Sequence, residues 1–173
     1  MIRKSFFGSI CLVGAVVFSI SAHAKDGVLK QTIDLATAPL LKQANEALSL
    51  GEPEKAAGMY RKALMSGLSE HSTYNAHNNY CVALNEIGSY LLAKVQCLKA
   101  INALSNKWQA HNNLGVAYHN LGLYEQALEA YDQAMELFPG GYSKRVGKNI
   151  AITKNALEYL APYVRKNAAI THN

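Results

Sequence analysis

The stretch Trp108–Gly141, WQAHNNLGVAYHNLGLYEQALEAYDQAMELFPGG, carries two apolar faces and two chain breaks. His111, Leu114, Gly115, Tyr118 and Leu121 recur at steps of three, one, three and three, which draws one face of a helix. Gly122 follows as a left-handed C-terminal residue would. Ala127, Leu128, Tyr131, Ala134, Met135 and Phe138 draw a second such face, and Pro139-Gly140 ends it. The spacing predicts two helices joined by a tight turn.

The same design stands one unit earlier. The tetrapeptide AHNN occurs at Ala76–Asn79 and again at Ala110–Asn113, 34 residues on. The 34 residues Tyr74–Lys107 align without gaps on Trp108–Gly141. His77 falls on His111, Ala83 on Ala117, Ile87-Gly88 on Leu121-Gly122, Tyr90 on Tyr124, Ala93 on Ala127 and Ala100 on Ala134. A fixed period of this length marks a repeat array, in which each hairpin buries its apolar faces only by stacking on its neighbours.

The unit 108–141 resembles the tetratricopeptide repeat, whose pattern is W-x₂-L-G-x₂-Y…A-x₃-F…P. Leu114-Gly115, Tyr118, Ala127, Tyr131 (for Phe), Ala134 and Pro139 match it, and His111 stands where the family prefers Trp. In the unit 74–107, Tyr80-Cys81 replaces Leu-Gly, Leu84 replaces Tyr, Cys97 replaces the aromatic and Ser105 replaces Pro. A weaker unit spans 37–70, with Leu50-Gly51-x-Pro53, Ala56, Tyr60 and Ala63, and a helix start at Thr37 and Pro39. Three extra residues, His71–Thr73, lengthen either the next helix or the loop. The resemblance implies an all-α solenoid of three hairpins. Residues 142–162, with Val146, Ile150, Leu157 and Leu160 at roughly helical spacing, are expected to form a capping helix that ends near Pro162. Residues 163–173 are expected to be a flexible tail, and 25–36 a poorly defined N-terminal segment.

The first 24 residues read as a secretory signal peptide. Arg3 and Lys4 precede an apolar run from Phe6 to Ile20, and Ala22-His23-Ala24 supplies a small-x-small cleavage site. The run of 15 residues is short for a membrane span, which needs roughly 20. The expected mature chain is 25–173, in a Gram-negative periplasm; an uncleaved anchor is the alternative. Its net charge of +3 is uneven: residues 25–141 carry 9 basic and 11 acidic side chains, and 142–173 carry 6 and 1. The basic stripe interleaved with aromatics that marks nucleic-acid binding is absent from the body.

Of the candidate functional residues, the asparagines come first. The first-helix faces left free by the core pattern carry Asn75, Asn78, Asn79, Val82, Asn85 and Glu86 in one unit. In the next they carry Gln109, Asn112, Asn113, Val116, His119 and Asn120. In tetratricopeptide arrays these faces line the concave groove. Asparagine costs several tenths of a kcal/mol in a helix interior relative to Ala, and each amide both donates and accepts. The expected site is therefore a nearly uncharged groove, built from Asn75, Asn78, Asn79, Val82, Gln109, Asn112, Asn113, Val116 and His119, that binds an extended polypeptide. Asparagine before Leu-Gly is also common in the family, so an ordinary structural role competes with this one. On the binding reading, Asn79→Ala with Asn113→Ala removes partner capture and leaves thermal unfolding nearly unchanged.

Other features are weaker. Glu125, Glu129, Asp132 and Glu136 form one acidic stripe, expected as a solvated convex face or as partners for Lys144 and Lys148. Lys144, Arg145, Lys148, Lys154, Arg165 and Lys166 form the charged face of the cap, with contact to anionic lipid as a second use. His77, His111 and His119 lack metal-ligand spacing, so no metal site is expected. Cys81 and Cys97 fall on the two helices of one hairpin and point inward. Two buried thiols are the expected state, and a disulfide the alternative if the Cα atoms come within about 7 Å. There is no phosphate loop, zinc-protease motif or nucleophile elbow, so neither catalysis nor a cofactor is implied. The expected function is non-enzymatic binding of another polypeptide as a scaffold, chaperone or assembly factor. Self-association within the cell envelope is the alternative.

Overall fold

The computed structural model describes residues 29, 31 and 39–170, with side chains described as far as 162. The expected leader at 1–24, most of 25–38, and residues 171–173 lie outside this set. Seven helices follow one another among the described residues: α1 (Pro39–Ser49), α2 (Pro53–Leu64), α3 (Glu70–Glu86), α4 (Tyr90–Ala103), α5 (Trp108–Asn120), α6 (Tyr124–Glu136) and α7 (Lys144–Ile170). No strand interrupts them. The helices pair as α1/α2, α3/α4 and α5/α6, and α7 stacks on α6.

Each hairpin turns the same way. Gly51, Gly88 and Gly122 have φ of 76°, 77° and 75°. This left-handed conformation strains any residue with a Cβ. The residue after each glycine donates its main-chain N–H five residues back: Glu52 to Ala47 at 2.9 Å, Ser89 to Leu84 at 2.8 Å and Leu123 to Tyr118 at 2.9 Å. The glycine N–H itself bonds to Leu48, Asn85 and His119 respectively. These paired bonds satisfy carbonyls that the helix ends leave open. Proline opens α1 and α2, where its missing N–H costs nothing.

The three-residue insertion lengthens the helix and not the loop. Ser69 caps α3, its Oγ accepting from the Ser72 N–H at 3.3 Å, so His71, Ser72 and Thr73 form the helix's first turn. As a result α3 has 17 residues where α5 has 13.

Within each hairpin the helices meet at a pair of positions 16 residues apart, as the Cys81–Cys97 separation shows. In the first hairpin these are Ala44 and Tyr60, both fully buried in one cluster. In the third they are Gly115 and Tyr131: the Tyr131 ring lies directly on the glycine, where a Cβ would stand 2.8 Å from Cζ. In the second they are Cys81 and Cys97. The expectation of two free thiols is wrong. The Cα atoms are 5.4 Å apart and the sulfurs are bonded. The reason is the close approach this position imposes everywhere in the array. Closing a loop of this size stabilises a fold by about 3 kcal/mol.

The cap also departs from expectation. α7 does not end near Pro162 but runs on to Ile170, so most of the supposed flexible tail is helical. Proline at that position removes the bond that its N–H would give to the Glu158 carbonyl. Glu158 and Pro162 are both exposed, so water takes the carbonyl. Ser143 starts the helix, its Oγ accepting from the Val146 N–H at 3.4 Å. The acidic stripe Glu125, Glu129, Asp132 and Glu136 is exposed as expected. Its alternative pairing with Lys144 and Lys148 is not made: the one ion pair among the described residues joins Lys55 to Glu52. No described helix is long and apolar enough to cross a membrane.

The glycine contact gives a direct test. Gly115→Ala forces a methyl into the fully buried Tyr131 ring and is expected to cost about 1–3 kcal/mol in urea denaturation. Gly58→Ala, in α2 with nothing within 4 Å of its Cβ position, is expected to leave stability equal or slightly raised.

Candidate functional site

The first helices form one row. α1 touches α3, α3 touches α5 and α5 touches α7, whereas α2, α4 and α6 do not touch one another. The array therefore curves toward α1, α3, α5 and α7. The asparagines lie along this inner row.

Their arrangement is a continuous chain of hydrogen bonds. Asn149 Nδ2 on α7 donates to Asn112 Oδ1 on α5 at 2.9 Å. Asn112 Nδ2 donates to Asn113 Oδ1 at 3.3 Å. Asn113 Nδ2 donates to Asn78 Oδ1 on α3 at 3.0 Å. Asn78 Nδ2 donates to Asn79 Oδ1 at 2.9 Å, and Asn79 Nδ2 to Asn45 Oδ1 on α1 at 2.8 Å. The Tyr60 hydroxyl closes the chain, donating to the same Asn45 oxygen at 2.6 Å. Every amide points the same way, from α7 to α1. Bonds aligned like this polarise one another, and burial strengthens them. These asparagines have interactions beyond this chain as well.

The expected open groove needs correction. Asn78, Asn79, Asn112 and Asn113 are 0 % exposed, and Asn75, Val82 and Val116 are also buried. Only Gln109 and His119 of the nine expected groove residues keep intermediate exposure. The reason is the closeness of neighbouring first helices. At this spacing the amides of consecutive repeats reach each other, so much of their bonding capacity is spent between helices. Asn45 and Asn149, at the two ends of the ladder, were not anticipated. Asn149 lies in the cap, outside the repeat register, and Asn45 is offset from the AHNN positions. Asn85, on the same helix as Asn78 and Asn79, bonds through Nδ2 to the Asn113 main-chain carbonyl at 3.3 Å.

Two described residues of the N-terminal segment meet the last hairpin and the cap. Leu29 packs against the cluster of Val116 on α5, Ala127, Tyr131 and Ala134 on α6 and Val146 on α7. Arg145 Nη1 donates to the main-chain carbonyl of Gln31 at 3.0 Å.

The histidines serve as struts. His77 Nδ1 pairs with Gln96 Oε1 at 2.8 Å, which ties α3 to α4. His111 Nε2 meets the Ser105 carbonyl at 3.1 Å. His119 Nδ1 pairs with Thr153 Oγ1 at 2.9 Å, tying α5 to α7, and its ring meets Tyr124 edge-on at 5.2 Å. Among the described residues, no group of three His, Cys, Asp or Glu side chains is placed to hold a metal. Burial lowers the pKa of His119 and His77 below the usual value. For His77 the Gln96 bond opposes this and Lys99 adds to it.

The sign follows from the unfolded chain binding more protons than the folded one below about pH 6.5. Stability is full above that pH and falls as pH drops through the window below it. Thermal melts from pH 7.5 down to 5.5 are expected to show this fall, with a shallower slope in His77→Gln/His119→Gln. The ladder reverses the expectation for Asn79→Ala with Asn113→Ala. Each substitution strands buried amide partners, at about 1–3 kcal/mol apiece. Chemical denaturation of the double variant is expected to show a clear loss of stability; an unchanged midpoint would mean the ladder bonds contribute nothing.

Comparison with known proteins agrees with this architecture. Residues 108–140 match the tetratricopeptide repeat model. No curated protein sequence matches the chain. Among solved structures, the Sgt2 TPR domain from Aspergillus fumigatus superposes with a TM-score of 0.64 at 23% identity, covering 76% of this chain and 87% of that one. The first TPR domain of human RPAP3 gives 0.63 at 19% identity, covering 69% and 91%. The second TPR domain of human RPAP3, solved in complex with an HSP70 peptide, gives 0.60 at 21% identity, covering 66% and 92%. At these identities the likeness shows the fold. With a matched repeat at 108–140, a recurring glycine turn and hairpins stacked in one curved row, the described residues have the tetratricopeptide-repeat solenoid fold.

Proposed function

We propose that this protein is a non-enzymatic interaction module that holds an extended polypeptide against the inner row of helices α1, α3, α5 and α7. The observation that carries this reading is the seating of Leu29 and Gln31. One apolar side chain packs against the cluster shared by α5, α6 and α7, and one main-chain carbonyl takes a hydrogen bond from Arg145. That is how a sequence-tolerant surface grips a chain: the backbone supplies the bond and a pocket takes the side chain. Similar folds support it, since the RPAP3 domain is solved with the HSP70 peptide SGPTIEEVD and the Spaghetti domain with the HSP90 peptide SRMEEVD. Here α3 and α5 carry no Lys or Arg, so those acidic peptides are poor guides to the ligand. An apolar or mixed segment suits this surface better.

We place the module outside the cytoplasm, as a scaffold or assembly factor of the cell envelope. The signal-peptide pattern of residues 1–24 and the Cys81–Cys97 disulfide both favour an oxidising compartment. Self-association is the second reading. It is favoured by Leu91, Leu92, Val95 and Leu98, which form an exposed apolar stripe on α4. Sedimentation of a monomer at high concentration would exclude it.

The test is in-cell photocrosslinking from Asn120, exposed at the end of α5, with Glu129 on α6 as the outward-facing control. Mass spectrometry is expected to find a second polypeptide joined at position 120 and not at 129. Recovery of only this chain's own peptides would overturn the reading.

A further inference from the structure

We infer that the outer face of α4 is the two-fold interface of a homodimer: α4 lies along and parallel to α4 of a second copy, and the basic side of each outer row faces the acidic side of the other. This rests on the second reading above, in which the α4 stripe serves self-association. It adds the symmetry of the assembly and the charges that set it.

The repeats themselves show that the fold does not require the stripe. The turn glycines Gly51, Gly88 and Gly122 put the three second helices in one register. Leu91, Val95 and Leu98 of α4 then correspond to Glu125, Glu129 and Asp132 of α6, and to Glu54, Gly58 and Arg61 of α2. The same outward positions carry charge or no side chain in two hairpins and are apolar in the one between. Leu91 is 65% exposed, and Leu92, Val95 and Leu98 are exposed beside it. Steps of four and three set Leu91, Val95 and Leu98 on one line along the helix. An apolar line that the fold can do without marks a surface that something else covers.

Charge identifies the cover. The outer row is graded from one end to the other. α2 carries Lys55, Arg61 and Lys62 against Glu54, α4 carries Lys94 and Lys99 with no acid, and α6 carries Glu125, Glu129, Asp132 and Glu136 with no base. Two-fold symmetry can join two such faces at α4 in two ways. With the axis across the helices, α6 meets α6 and acid faces acid. With the axis along α4, each α6 meets the α2 side of the other copy, and opposite charges face each other. Lys99 is the base nearest the seam on that side. Ile101 packs toward α5 and α6, with Leu114, Ala117 and Ala130. Leu92 and Lys99 stand about half a turn round from it, toward α2. Lys99 corresponds to Gln133 in the register, so in the parallel dimer it comes level with Asp132 of the second copy. Both residues are exposed, and neither belongs to the one ion pair among the described residues.

The stripe spans two turns, about 10 Å of helix, and the outer row is convex. The contact is therefore small, and an interface below about 1,200 Å² is weak. Back-to-back pairing leaves the two inner rows facing away from each other, so the dimer offers two binding surfaces at once.

Sedimentation equilibrium of the chain from Lys25 onward is expected to show monomer and dimer in exchange, with a Kd of about 10–100 µM. Leu91→Glu with Leu98→Asp writes the third hairpin's residues into the second. That variant is expected to stay monomeric to about 1 mM, with an unchanged melting temperature in dilute solution. Lys99→Glu is expected to weaken the dimer about tenfold, because symmetry makes the contact twice, and adding Asp132→Lys to restore it. An unsubstituted chain that is monomeric at about 1 mM, or a dimer that survives Leu91→Glu/Leu98→Asp, would overturn the interface. Partner capture at Asn120 would be untouched by that result. Failure of Asp132→Lys to rescue Lys99→Glu would overturn the parallel arrangement and leave self-association standing.

Discussion

The structure depends on how near its first helices lie to one another. Helices that carry long side chains on facing surfaces stay apart. Here asparagine faces asparagine, and the gap closes to hydrogen-bond distance from α7 to α1. Small polar side chains do two things at once. They let the helices approach as alanine would, and they fix register as alanine cannot, because an amide displaced by one residue loses its partner. The curvature of the array and the burial of the inner row both follow from that spacing.

The contact inside each hairpin obeys a similar limit, met in three ways. Ala44 with Tyr60 and Gly115 with Tyr131 set a small residue against a ring. Cys81 with Cys97 replaces the ring contact by a covalent bond. The second unit looked like a drifted repeat because its aromatic was gone. In the structure the drift is a substitution of one solution for another at the same place.

Much of this was legible in the sequence. The 34-residue register, the glycine turns and the proline starts located the helices, because each depends on local chemistry. What was not legible depends on distances between elements. Asn78 and Asn112 show the same periodicity whether they face solvent or a neighbouring amide, so their pattern alone favoured an open groove. The cysteines could have been paired by setting them against Gly115 and Tyr131 in the register, since a position that seats a ring on a glycine also brings two Cα atoms close. Pro162 was misjudged because a proline ends a helix only where the freed carbonyl has no other partner, and at this exposed site water is available. The insertion at His71–Thr73 was ambiguous until Ser69 was seen to cap α3.

The disulfide's place in the order of hairpins has a consequence of its own. In a linear array each unit is stabilised by its own fold and by its two neighbours, and unfolding proceeds inward from the ends. The staple sits in the middle hairpin, between α3 and α4. With the bond intact, either end can fray while a central seed persists, and refolding spreads outward from it. Once the bond is reduced the centre loses that advantage. The redox state of one bond thus sets how firmly the middle hairpin outlasts its neighbours.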